Sequence, residues 1–185
     1  MKRIFLILSF LACTFGAFAQ ETRIPQRLEI VTIELNPDDD AILSPTEEIE
    51  VFCMPEDDVN HYFLSVGHLG IGDDIIQFNI DPIFELFIPL GDTLAEAMES
   101  LQEMQALFKG PRGKSIELEG CLAAAFPNDK MEKVTVTYRK VILSNLLEFS
   151  VERGDYIRAT HIGKSQFNAL VSGVKFYRKL HPNEL

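Results

Sequence analysis

Hydrophobic and polar residues alternate along most of this chain, the pattern of strands with one buried face. In Val134-Thr135-Val136-Thr137-Tyr138-Arg139, alternation assigns Val134, Val136 and Tyr138 to a core and Thr135, Thr137 and Arg139 to water. Similar runs of β-branched and aromatic residues, bounded by Asp, Pro, Gly and Asn, predict strands near 27–35, 48–54, 61–69, 75–80 and 83–89. Further strands are predicted near 115–125, 132–143, 145–152 and 155–162. One segment changes period. Leu94, Ala97, Met98, Leu101, Met104 and Phe108 recur at helical spacing. The Thr93-Leu94-Ala95-Glu96 that opens them is a capping box, in which hydroxyl and carboxylate each satisfy an N-terminal amide. Gly110-Pro111 ends this helix.

Residues 165–180 read two ways. Ser165 can cap a helix with the apolar face Phe167, Leu170, Val171, Val174 and Tyr177, placing Arg178 and Lys179 at its negative end. Gly173 costs such a helix about 1 kcal/mol, and Val174, Phe176 and Leu180 also fit a strand. The helix is the favoured reading. The expected fold is therefore α+β, a mostly antiparallel β-sheet packed against one or two amphipathic helices.

The first nineteen residues follow a different logic. Lys2 and Arg3 precede a run from Ile4 to Leu11 that is apolar apart from Ser9, and Ala17-Phe18-Ala19 supplies small residues before Gln20, the layout of a secretory signal cleaved after Ala19. The run is too short for a stable membrane span, and no later window approaches ~18 continuous apolar residues. The expectation is a signal peptide over 1–19 and one domain over 20–185, periplasmic or secreted. Such a location disfavours chemistry that needs cytosolic ATP or nicotinamide.

Composition sharpens this. The 185 residues carry 17 Lys+Arg against 28 Asp+Glu, a formal charge of −11 that becomes −13 once Lys2 and Arg3 leave. A nucleic-acid partner, which needs a cationic surplus, is not expected. The charge is also uneven. Residues 21–110 hold 20 acidic and 3 basic residues, whereas 111–185 hold 8 acidic and 12 basic. Acidic clusters at Asp38-Asp39-Asp40, Glu47-Glu48-Glu50, Glu56-Asp57-Asp58 and Asp73-Asp74 accompany turns. They fit solvated loops, a weak calcium site lacking any Asp-x-Asp-x-Asp-Gly loop, or a docking surface for a cationic partner. For that last role the candidate residues are Asp38, Asp39, Asp40, Glu56, Asp57 and Asp58.

Reactive motifs are weak. Gly113-Lys114-Ser115 and Gly163-Lys164-Ser165 resemble the end of a Walker loop, but Phe108 and Arg158 stand where its first glycine belongs. There is no Gly-x-Ser-x-Gly elbow, and Ser172-Gly173-Val174-Lys175 lacks the companion motifs of Ser-x-x-Lys enzymes. His61, His68, His161 and His181 show no zinc spacing, so neither a metal nor a cofactor is expected. Strand parity groups His68 with Tyr62, Leu64 and Val66, and His161 with Ile157 and Ala159. If both point inward, either could meet a carboxylate and act in acid/base chemistry. Cys53 and Cys121 could form one disulfide in an oxidising compartment. Parity, however, puts Cys53 with Ile49 and Val51 but Cys121 with Glu117 and Glu119, unless a bulge at Gly120 turns it inward.

The Ala17-Phe18-Ala19-Gln20 junction resembles those of exported proteins from Bacteroidetes-type bacteria. Ile116-Glu117-Leu118-Glu119-Gly120-Cys121 and Val171-Ser172-Gly173-Val174-Lys175-Phe176-Tyr177 are similar to stretches of small secreted domains of unknown function from that group. The resemblance implies export and a single domain, and transfers no site. The expected function is a non-enzymatic exported binding domain that docks a cationic protein or envelope component through acidic loops. The alternative is a small periplasmic hydrolase using His68 or His161 with a nearby carboxylate.

Overall fold

The structure is a computed structural model that describes residues 26–34, 48–67, 70–71, 85–123, 126–141, 144–154 and 156–182. Strands β1 (Leu28–Glu34), β2 (Glu48–Glu56), β3 (Val59–Val66), β4 (Gly70–Ile71) and β5 (Glu85–Gly91) precede helix α1 (Leu94–Ala106). A 3-10 turn (Leu107–Lys109) follows. Strands β6 (Ser115–Ala123), β7 (Glu132–Lys140), β8 (Asn145–Arg153) and β9 (Tyr156–Gly163) then lead into helix α2 (Lys164–Leu180). The described strands form one antiparallel sheet in the order β1-β2-β3-β5-β6-β7-β8-β9-β4. The described residues thus form a sheet-dominated fold with two helices. The strand expected at 75–80 lies outside the described residues.

One face of the sheet carries the core. Val51, Leu64, Ile88, Val136 and Phe149 point there and share a buried cluster with Leu101 of α1 and Phe167 and Leu170 of α2. Helix α2 touches β1 and β2 from one end of the sheet and β8 and β9 from the other. The sheet must curl around it to do so. The capping box of α1 is present: Thr93 Oγ1 accepts from the Glu96 amide at 3.2 Å, and Glu96 Oε2 accepts from the Thr93 amide at 3.1 Å. Helix α2 starts two residues before the expected Ser165. Gly163 is its N-cap, and Gln166 Oε1 accepts the Gly163 amide proton at 2.8 Å. A Gln105–Asn168 hydrogen bond of 2.7 Å ties the two helices together.

Strand β6 changes partners along its length, pairing with β7 over 115–120 and with β5 over 121–123. The register shows no bulge at Gly120. A β-carbon there would lie 2.8 Å from Val134 Cγ2 and 2.9 Å from the Phe87 carbonyl oxygen, so crowding at the handover explains the glycine. Alternation thus runs unbroken and leaves Cys121 on the outer face with Phe52, Phe87 and Ala123, while Cys53 sits in the inner core. No disulfide joins them. The pairing considered from sequence fails because the two sulfurs lie on opposite faces of the sheet.

Candidate functional site

The outer face of the sheet carries two charged surfaces at opposite ends. At the first, Glu29, Glu34, Glu48 and Glu50 line a concavity of about 660 Å³ with Thr32 and Ile33. Pairing explains how they converge: Glu34 stands opposite Glu48, and Thr32 opposite Glu50. Simple alternation would send Glu29 to the other face from Thr32 and Glu34. The register shift between Glu29 and Val31 brings it back, because a bulge inserts one extra residue. Glu50 is the buried member. Burial pushes its carboxyl above the usual range, and hydrogen bonding and ion pairing with Arg27 oppose that rise. Arg27 also lies 4.1 Å from the Phe52 ring centroid and reaches Glu85 Oε2 at 3.6 Å. This guanidinium caps the small outer aromatic cluster and neutralises the glutamate beside it.

At the second surface, Arg139, Glu148 and His161 form a chain across β7, β8 and β9. Arg139 donates to Glu148 Oε1 from Nη2 at 2.7 Å and from Nε at 3.1 Å, and His161 Nε2 lies 3.0 Å from Glu148 Oε2. Both carboxylate oxygens are therefore engaged. The hydrogen bond to His161, followed by that to Arg139, holds the Glu148 carboxyl down at about 2 despite its burial. The three residues belong to a concavity of about 540 Å³ that Arg112, Lys140, Val141 and Leu146 complete.

The residues expected to act meet different fates. Asp38, Asp39, Asp40, Asp73, Asp74 and His68 lie outside the described residues. Asp57 and Asp58 are the two central residues of the β2–β3 hairpin, with φ of 46° and 66°. A two-residue turn with both φ positive favours Asp there, so backbone geometry accounts for these aspartates. Glu56 to Asp58 also stand at the far end of β2 from Glu48, some ~26 Å along the strand. They are not part of the glutamate surface. His161 does not point inward. It shares the outer face with Glu148, its neighbour in register, because Ile162 takes the core position. Glu29, Glu34, Arg27, Arg139 and Glu148 join these surfaces through cross-strand register, which the sequence by itself does not display.

The chain matches no protein-family model, no curated protein and no solved structure. Among the described residues, no group of three or more His, Cys, Asp or Glu side chains could hold a metal ion. Among the same residues, no helix is long and apolar enough to cross a membrane.

Proposed function

We propose that this protein is an exported, non-enzymatic binding domain of α+β class that docks a cationic macromolecular partner through the acidic end of its sheet. The observation that carries this reading is the convergence of Glu29, Glu34, Glu48 and Glu50 on one concave face, where Arg27 pairs with the buried Glu50 alone of these four. Sheet order supports it, since β1, β2, β3 and β5 come from the acidic half of the chain and β6 to β9 from the basic half, with only the two-residue β4 of the acidic half lying beyond β9. A surface of one sign speeds encounter with an oppositely charged partner and rejects like-charged ones.

The test is a pull-down from envelope extract across a salt series, using wild type and a Glu29→Gln/Glu34→Gln/Glu48→Gln variant. Recovery should fall with rising salt, because exposed charges are screened beyond ~8–10 Å, and should fall in the variant at low salt. Equal recovery in both proteins would overturn the reading.

A hydrolase centred on His161 has one observation in its favour, the 3.0 Å contact with Glu148. Against it, Arg139 already compensates that carboxylate, and the other described residues lining the concavity bring no hydroxyl or thiol for His161 to deprotonate. The binding reading is the stronger.

A further inference from the structure

The concavity at the β7–β9 end is cationic, in contrast to the glutamate surface at the other end of the sheet. Arg139 and His161 both face Glu148, whose two oxygens they occupy. Arg112 and Lys140, lining the same hollow, have no ion-pair partner among the described residues. Among the described residues, two cations are thus left without an ion pair in a hollow whose lining also includes Val141 and Leu146. Arg139 spends Nε and Nη2 on a single carboxylate oxygen, so its Nη1 protons remain for a second acceptor.

We propose that this hollow binds a phosphate monoester carried on an apolar group. Charge selects the phosphoryl group. A monoester bears about −1.5 to −2 at neutral pH and offers three acceptor oxygens, which matches two unpaired cations and a partly engaged guanidinium. A monocarboxylate would leave one cation unbalanced. The apolar side chains of Val141 and Leu146 in the lining select an organic ester over the inorganic ion. Glu148 is a positioning residue here: it fixes Arg139 and His161 and touches no ligand. The site is independent of the acidic end of the sheet and of any partner bound there.

The same chemistry occurs on soluble esters and on lipid headgroups, and the experiment separates them. Calorimetric titration of the signal-cleaved chain uses phenyl phosphate, inorganic phosphate and benzoate. Co-sedimentation uses phosphatidylcholine vesicles with and without phosphatidic acid. Phenyl phosphate should bind more tightly than the other two, and Arg112→Gln/Lys140→Gln should weaken it by roughly tenfold or more. Circular dichroism and the melting temperature of that variant should match wild type, since neither side chain has an ion pair among the described residues to lose. Binding of phenyl phosphate without co-sedimentation assigns a soluble ester. Co-sedimentation that needs phosphatidic acid and is lost in the variant assigns a headgroup. Absence of both, equal binding of benzoate, or unchanged affinity in the variant would overturn the proposal.

Discussion

Gly173 of α2 lies against Val31 of β1: a β-carbon built on the glycine would come 2.7 Å from Val31 Cγ1 and 3.1 Å from Cγ2. This contact reverses the usual meaning of a glycine within a helix. In isolation the residue weakens α2 by about 1 kcal/mol relative to alanine. Here it lets the helix axis approach the edge strand, and the buried stripe of Phe167, Leu170, Val171 and Val174 depends on that approach.

Gly173→Ala is therefore expected to destabilise the protein by about 1–3 kcal/mol, the cost of overpacking against a stiff β-branched neighbour. Val31→Ala introduced alongside it should recover part of the loss. Urea midpoints of the wild type, both single variants and the double variant measure that coupling. A rise in midpoint for Gly173→Ala alone would mean that helix propensity outweighs the contact.

Arg27 and Glu50 should respond unequally to mutation. Arg27→Met leaves a buried carboxylate without its compensating charge and removes the cation from the Phe52 ring, for an expected loss of about 1–3 kcal/mol at neutral pH. Glu50→Gln keeps the shape, removes the buried charge and should cost less. The sign of the pH dependence follows from burial, which raises the Glu50 carboxyl in the folded state. A raised group favours the fold below its unfolded value, and that contribution is lost as pH rises through the folded value. The deficit of Arg27→Met should therefore shrink as pH falls towards ~4, the ordinary carboxylate range. A deficit that is constant between neutral and acid pH would rule out an uncompensated Glu50 as its cause.

The elements were legible where local physics decides them. Thr93 and Glu96 announce α1 because a capping box is a local device, and Val134, Val136 and Tyr138 announce their face because alternation is local too. What escaped were relations set by register and packing. Ser165 looked like the start of α2, yet Gln166 reaching back to Gly163 sets it two residues earlier. Glu29 reaches the acidic surface only through the bulge before Val31. His161 meets Glu148 only because β8 and β9 pair in one register out of several that their sequences allow. Alternation places Cys121 correctly with Glu117 and Glu119, and the bulge at Gly120 stays open as an alternative because the chain alone does not reveal that Val134 and Phe87 crowd that glycine. The acidic and basic halves are visible as composition, but their separation along one sheet, β4 apart, follows from strand order.

Glu148 should govern the acid limb of stability. Its carboxyl titrates near 4.5 when unfolded and at about 2 when folded, chiefly through the hydrogen bond to His161 and also through Arg139. A group depressed on folding contributes stability that is complete above its unfolded value and lost as pH falls through the folded one. The window is therefore from about pH 4.5 down to about pH 2. At about 1.4 kcal/mol per tenfold change in proton affinity the full effect would approach ~3 kcal/mol, and partial solvent exposure reduces the expected value to ~1–2 kcal/mol. Urea midpoints of the wild type should fall across this window more steeply than those of Glu148→Gln, which has no proton to take up there. His161→Ala should lie between them, because it removes the first of the carboxylate's two partners and leaves Arg139 in place. Parallel curves for wild type and Glu148→Gln would mean that the chain from Arg139 to His161 adds nothing to the fold, and that other carboxylates set its acid sensitivity.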